Sequence, residues 1–525
     1  TNSANDPDAP AGALTFSLLS GPPGGVLSAG GVFTWSPTEA NGPGTNLVTV
    51  KVQDNGTPGL TEVSLRGISA LSSSATVATY IDEVPLGSSG LYQAANSFIL
   101  DLLPYDISRI EVLRGPQGTL YGAGAVGGLL KYVTRAPDLT EKEVRFGAGL
   151  RSVQDGGTDW NVRLGANLPL QEGRSGLRVS YARNGLPGYT DNTIDGREDI
   201  NEGEQAGARA AYWLDGDGFD VNLSVLRQEI DFDDRAGVAL DPASQEPLDG
   251  EFDNRTWQPQ PFSKKFTLAT MTLDWDLGWA DLMSATGWSQ TDTLNQIDST
   301  VQFGEVANLL LGLPAPGSSY VRYEFDLDKL SQEVRLTSKG GGAFEWMVGV
   351  FYTEEDAMQA QLAWLGQLDG SDLPPPYDAM FSTLALIELP STYKELAVFA
   401  NGSWRIGDRF KIDAGIRQAS NDQWFSQNVP AGILAPIGES PGESSEDVFT
   451  WSLSPQYKLS ERAMVYARVA TGYQPGGPNV ALPGMLPTVD SSMLDSFELG
   501  IKAQSAGGRF QLDASVFKID WSDIQ

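Results

Sequence analysis

The chain has no cysteine and no histidine in 525 residues, and 35 Lys+Arg against 67 Asp+Glu, a formal charge of −32. Without cysteine there is no disulfide, no thiolate zinc site and no cysteine nucleophile. Without histidine there is no Ser-His-Asp triad, no His-ligated haem and no imidazole proton shuttle. The shortage of cations argues against nucleic acid as a partner, because nothing would offset phosphate repulsion. Long apolar runs are missing too. No stretch approaches the ~18 apolar residues of a transmembrane helix, and no basic-then-apolar signal segment follows Thr1.

What is present is glycine (59 residues), with aromatic residues at 10% and charged residues at only 19%. That mixture is too apolar for disorder and too glycine-rich for a helical protein. Three regions follow. In residues 1–62, "ALTFSLLSGP", "GVFTWSP" and "NLVTVKVQDNGTP" alternate with period two between Gly, Pro and Asn turns, the grammar of a β-sandwich. Residues 63–138 mix short strands with a glycine cluster. There Gly122, Gly124 and Gly127 spell G-x-G-x-x-G, but "LLKYVT" follows instead of the helix that a dinucleotide fingerprint needs.

Residues 139–525 read as a series of about 15 alternating strands. In "EKEVRFGAGLRSV", Val144, Phe146, Ala148 and Leu150 share one side, and Arg145, Gly147, Gly149 and Arg151 the other. "DWNVRLGANLPL", "GLRVSYARN", "RFKIDAGIRQ" and "GRFQLDASVFKIDW" repeat the pattern in runs of about 10 to 14 residues. Connections alternate as well, apart from the first outer one, "QDGGT", which is short. Short ones lie near 171, 215, 278, 339, 407, 460 and 505; long ones span about 187–202, 231–262, 294–325, 357–390, 421–446 and 473–492. Apolar-out, polar-in strands with alternating short and long connections are the code of an outer-membrane β-barrel. The expected fold is all-β: a large antiparallel transmembrane barrel, a partial inner domain and a small sandwich-like segment.

Particular words carry family resemblances. "NDPDAP", "GVFTWSPTEANGPGT" and "VTVKVQDNGTPGL" resemble cadherin-like or immunoglobulin-like repeats of bacterial surface proteins. That likeness nominates Asp6, Asp8 and Asp54 as calcium ligands; Asx-turns at strand ends are the plainer reading. "LRGISA", "ATYIDEVPLG" and "LPYDISRIEVLRGPQGTLYGAGAVGGLLKYVTRAP" resemble the plug domain of TonB-dependent outer-membrane receptors. "KLSQEVRLTS", "WMVGVFYTEED", "VYARVATGYQPGGPN" and "FELGIKAQ" are similar to their barrel strands. The plug motif comprises Arg66, Gly67, Arg114, Gly115, Pro116, Gln117 and Gly118, with Arg114 expected to pair with wall carboxylates inside a shielded lumen.

The resemblance implies a Gram-negative outer-membrane importer of a scarce ligand, a ferric siderophore or an oligosaccharide. Its partners would be the TonB energy-transducing complex, membrane lipid and lipopolysaccharide. Ligand contacts would fall on Tyr92 and Phe98 at the plug apex and on Tyr473 and Gln474 at a strand–loop edge; plug–wall packing or the membrane girdle is the other reading of the aromatics. No resident cofactor is implied beyond that calcium, and no nucleophile–base constellation suggests an enzyme. Adjacent carboxylates such as Glu354/Glu355 and Asp233/Asp234 face opposite sides of a strand and read as solvated loop charge. Residues 231–255 hold eight carboxylates and two Arg, which favours neutral or cationic ligands, or divalent ions bridging to lipopolysaccharide.

Two departures from the family stand out. Its barrel has about 22 strands, and cadherin-like sequence replaces the first half of the plug, with a seam near Gly59–Ser64. A fragment or chimera is therefore expected, whose open sheet would not insert as a working transporter. The rival readings are a calcium-dependent surface adhesin and a secreted all-β glycoside hydrolase.

Overall fold

The computed structural model describes residues 63–66, 68, 75–90, 102–103 and 105–524, apart from 242–243, 245, 251, 310–311, 313–315, 480–485 and 506. Before residue 54 it describes the backbone of four short strands: Thr15–Ser20, Val26–Leu27, Phe33–Thr34 and Thr49–Gln53. The first pairs with the fourth and the second with the third. Asp6, Asp8 and Asp54, the calcium candidates, lie outside the described residues.

The inner segment is a four-stranded sheet of β1 (Val77–Ile81), β2 (Val84–Leu86), β3 (Ile107–Arg114) and β4 (Gly128–Thr134), ordered β2-β1-β4-β3. β1 and β4 run parallel; the other pairs are antiparallel. Asp82 turns the β1–β2 hairpin at φ +51°, a left-handed conformation that Asp tolerates through local hydrogen bonding. Its carboxylate accepts from the Thr134 N–H and hydroxyl, both at 2.8 Å, tying the hairpin to β4. A one-turn helix, α1 (Gly118–Tyr121), precedes β4. The G-x-G-x-x-G stretch is the turn between them, and a strand follows it as the sequence suggests.

The wall is a meander of 15 strands in which each pairs antiparallel with the next. It comprises β5 (Glu143–Ser152), β6 (Thr158–Gln171), β7 (Ser175–Leu186), β8 (Gly203–Asp215), β9 (Phe219–Phe232), β10 (Phe262–Asp276), β11 (Ala280–Asp298) and β12 (Ser318–Ser338). It continues with β13 (Phe344–Gly366), β14 (Thr383–Ile406), β15 (Phe410–Gly432), β16 (Gly438–Ser460), β17 (Ala463–Gln474), β18 (Ser492–Gln504) and β19 (Gln511–Ser522). β5 and β19 are the two edges of the sheet.

On β14, Leu396, Val398, Trp404 and Ile406 point outward and are exposed, while Glu395, Ala397 and Phe399 between them are buried. Near the short turns the outward positions are aromatic: Phe219, Trp275, Trp279, Phe344, Trp404 and Tyr457. Several are direct cross-strand neighbours, Phe219 with Trp275 and Phe344 with Trp404. This is an interfacial aromatic girdle, where ring and polar edge both find their preferred medium. The buried apolar side chains sit between wall and inner sheet. Ile81, Val84, Leu86 and Leu102 pack on Leu226, Phe266 and Leu268. Among the described residues no helix is long and apolar enough to cross a membrane.

One sequence expectation is corrected. Strands of about 10 to 14 residues were expected, and β13 to β16 reach 23 or 24. The stretch 421–446 is therefore mostly hairpin, with only residues 433–437 as its loop. Beyond the membrane the ladder continues because polar outward positions such as Asp422 and Asp447 are as content in water as the loop they replace. A charge inside the apolar band should be costly. Val398→Arg is expected to destabilise the wall by about 2–4 kcal/mol, read as a lower urea midpoint in lipid vesicles. Lys394→Arg, above the band, should leave the midpoint unchanged.

Candidate functional site

The chemistry of the molecule concentrates where the inner segment meets the wall. α1 and its flanking turns press against β14 to β17. A Cβ on Gly118 would lie 2.8 Å from the Thr471 carbonyl oxygen and 3.2 Å from Gly472 Cα, so only glycine permits this approach. Arg468 donates to the Pro116 carbonyl at 2.6 Å. Gly122, at φ +70°, lies over the Arg417 guanidinium, whose Nη2 would sit 2.8 Å from an added Cβ. Beneath it, Arg417 bonds Glu395 at 2.5 Å, and Tyr393 and Tyr473 donate to the same carboxylate at 2.7 and 3.2 Å. Phe351 and Phe399 face the guanidinium at 5.1 and 5.7 Å. A fully buried charge pair is thus boxed in aromatic rings directly under the plug turn.

Elsewhere the seam is held by ion pairs of both polarities. Inner Asp106 takes Arg178 Nε at 2.7 Å, a second contact from Arg178 Nη2, and Arg209 Nη1 at 3.3 Å. Arg209 also donates to the Arg135 carbonyl at 2.9 Å. Inner Glu83 meets wall Arg335 at 2.5 Å and its own neighbour Lys131 at 2.7 Å. Inner Arg66 meets wall Glu498 at 2.7 Å and lies over the Phe517 ring. Glu498 is steadied by the Tyr466 hydroxyl at 2.7 Å. Higher in the lumen, Lys329 and Glu355 engage Gly87 and Ser89.

The residues nominated from sequence fall as follows. Tyr473 is fully buried against Glu395, and Gln474 donates to the Ala75 carbonyl at 3.0 Å, so both sit in the seam itself. Tyr92, Phe98 and Gly67 lie outside the described residues. Gly115 N–H donates to the Gly127 carbonyl and Gln117 N–H to that of Ala125, closing the motif loop onto the start of β4. Arg114 ends β3, the edge strand of the inner sheet; it is exposed and has no ion pair among the described residues. The inner arginine that pairs with a wall carboxylate is Arg66. Glu354 and Glu355 do face opposite sides: Glu354 pairs outward with Lys394, but Glu355 is fully buried, not solvated. Sequence reasoning passed over Asp106, Arg178, Arg209, Lys329, Glu395 and Arg417. The available signal was their phase, since each wall member interrupts an inward-facing small or polar series with a full charge.

Among the described residues, the outer connections 187–202 and 231–262 are tied to each other. Asp191–Asn192 pairs in parallel with Asp253–Asn254, and Asn201 accepts from the N–H groups of Tyr189 and Thr190. Asp234 is buried too, against the expectation of solvated loop charge; burial pushes its carboxyl above the usual range despite N–H donors from Arg235 and Gln260. Among the described residues no cluster of acidic side chains is arranged to hold a metal ion.

Removing the Asp106 carboxylate would leave the buried Arg209 guanidinium without an ion-pair partner and Arg178 with only Glu143. Asp106→Ala is expected to weaken plug seating by about 3–5 kcal/mol. The readout is protease cleavage within residues 75–134 at lower urea than wild type; an unchanged threshold would refute it.

Comparison with known proteins fits this architecture. The family model "TonB dependent receptor-like, beta-barrel" matches residues 207–525, and "TonB-dependent Receptor Plug Domain" matches residues 40–129. The plug match thus begins inside residues 1–62, which were expected to form a separate segment before the plug. The pesticin receptor of Yersinia enterocolitica serotype O:8 is 27% identical over 495 residues, covering 91% of this chain and 64% of the relative. The chain therefore spans less than two thirds of that relative's length. The ferric yersiniabactin uptake receptor FyuA from Yersinia pestis superposes with a TM-score of 0.71 at 21% identity, covering 90% of this chain and 68% of FyuA. The siderophore receptor PiuA from Acinetobacter baumannii gives a TM-score of 0.65 at 17% identity, covering 89% of this chain and 67% of PiuA. With its girdled antiparallel wall, its seated inner sheet and a barrel match over most of its length, the chain belongs to the TonB-dependent receptors of the Gram-negative outer membrane.

Proposed function

We propose that, in the intact receptor, this plug and wall serve the import of ferric siderophores across the outer membrane, driven by the TonB energy-transducing complex. The observation that carries this reading is the seam. A folded segment sits on the lumen side of the wall, held by ion pairs and hydrogen bonds set among separate apolar patches. Polar contacts of this kind yield to a directed pull and re-form when water re-enters, which suits a gate that must open and reseat. The work is binding and mechanical release, so no covalent chemistry is required of the chain. The siderophore class is supported by the names of the relatives, one a ferric yersiniabactin uptake receptor and another a siderophore receptor.

The same reading makes outer-leaflet lipopolysaccharide a partner of the outer wall surface. Above Trp288, Asp292 lies directly opposite Asp326, and Asp328 opposite Asp356, with Asp326, Asp328 and Asp356 exposed on the outward face. Like charges paired across a ladder repel, and divalent cations shared with lipid phosphates would relieve that repulsion. Replacing Asp326 and Asp328 with Asn should reduce the lipopolysaccharide that co-purifies with the protein.

Transport is tested in cells. A deletion strain starved of iron should lose uptake of radio-iron carried by at least one siderophore, regain it with the gene, and lose it again under a protonophore. Unchanged iron uptake together with loss of oligosaccharide uptake would overturn the siderophore assignment.

A further inference from the structure

Two stretches of the plug–wall seam differ in kind. On β9 and β10 it is apolar: Ile81, Val84, Leu86 and Leu102 pack on Leu226, Phe266 and Leu268. Beside that patch, on β7 and β8, Asp106 holds Arg178 and Arg209. On β14 to β16 a file of inward polar atoms has no hydrogen-bond partner among the described residues: Asn421 Nδ2, Arg417 Nε and Nη1, Thr450 Oγ1, Asn401 Nδ2 and Ser403 Oγ. Asn421, Arg417 and Thr450 are only 0, 2 and 1% exposed. Arg417 stands directly opposite Thr450, and Asn401 and Ser403 continue the same face toward the short turns. Burying an unpaired polar group is costly, so a file of them marks a surface that meets a polar partner at some stage. Each of these atoms can donate a hydrogen bond, which suits a ligand rich in acceptors.

α1 interrupts the file. Gly122 lies over the Arg417 guanidinium, and the Thr119 and Ser452 hydroxyls are 3.5 Å apart. Above α1, Tyr121, Phe351 and Glu395 line a cavity of about 50 Å³. Below it, Met347, Asn401, Ser403 and Ser452 line a pocket of about 400 Å³. The apolar hold on this segment is Leu120 and Ala123, both only partly buried, against the cluster around Phe351 and Phe399.

We infer that α1 with its flanking turns, residues 115–127, is a gate, and that the lumenal face of β14 to β16 is the track an oxygen-rich ferric chelate follows past it; this rests on the uptake function proposed above. The four-stranded sheet stays seated on β7 to β11 while the gate swings.

Paired cysteines in the intact receptor test the gate, since this chain has none of its own. Thr119→Cys with Ser452→Cys staples α1 to β16. Val84→Cys with Gly287→Cys staples the sheet to β11, where a Cβ on Gly287 would lie 2.3 Å from Val84 Cγ1. Oxidised, the α1 staple should abolish ferric siderophore uptake until it is reduced, and the sheet staple should leave uptake at the wild-type level. Block by both staples, as expulsion of the whole plug requires, or any other pattern would overturn the gate. Asn401→Leu with Thr450→Val tests the track. Removing unpaired polar groups should keep or raise the urea midpoint, whereas uptake Vmax should fall roughly tenfold with ligand binding to de-energised cells unchanged. Wild-type Vmax in that variant would overturn the track. Ion current through the receptor in planar bilayers under mild urea needs neither ligand nor TonB. It should appear with the sheet staple closed and vanish with the α1 staple closed. That current pattern in a receptor that imports none of the ferric siderophores offered would count against the uptake reading and leave the gate standing.

Discussion

No water reaches the lipid-facing wall, so each backbone N–H and C=O there must pair with a neighbouring strand. The rest of the molecule depends on that constraint. It enforces strict alternation, because a one-residue slip would turn Glu395 on β14 toward lipid and Leu396 and Val398 toward the lumen. It also makes the lumen the place where full charges can be kept. Glu395 and Arg417 are nearly inaccessible to solvent, yet they lie on strands whose opposite faces carry Val398 and Ile416.

Within the lumen, charge has to be neutralised locally. A buried carboxylate without a partner is costly, so the seam pairs each one with a cation, a hydroxyl or a backbone N–H. Asp106 has two guanidinium partners, Glu395 one guanidinium and two phenols, and Glu355 an ammonium, a hydroxyl and an amide. Polarity runs both ways across the seam. The plug supplies the anion at Asp106 and Glu83 and the cation at Arg66, which leaves no single-sign field to drive it out.

Much of the wall was legible from sequence, because period-two alternation is a local property. Val144, Phe146 and Leu150 are among the most exposed apolar side chains, on the face their phase assigns, and the strand number agrees with the count of apolar-out runs. Strand ends were less legible. Where outward positions turn polar above the girdle, hairpin and loop look alike in composition, and β15 and β16 continue through what reads as a loop. The seam was the least legible part. Phase places Arg417 and Glu355 inward, but whether an inward charge meets water or another element depends on contacts hundreds of residues away. Arg114 and Arg66 show this: both stand in family-like motifs, and only the packing of β3 at the sheet edge against the approach of β18 distinguishes them.

A regularity in the seam explains how so small a plug sheet can be held by so large a wall. Many of the wall's polar side chains bond the plug's backbone instead of its side chains. Arg468 reaches the Pro116 carbonyl, Lys329 that of Gly87, Arg209 that of Arg135 and Gln474 that of Ala75. In the other direction, Glu355 and Gln228 accept from the N–H groups of Ser89 and Leu103. A wall that reads backbone fixes the path of the plug chain, in addition to the side-chain pairs at Asp106, Glu83 and Arg66. Those carbonyls and amides lie in turns and strand ends, where no ladder partner is available, so the wall supplies bonds the plug could not make alone. The plug's short strands and glycine-rich turns are therefore adequate only inside this lumen. Seating and folding of the inner segment are, on that account, the same event.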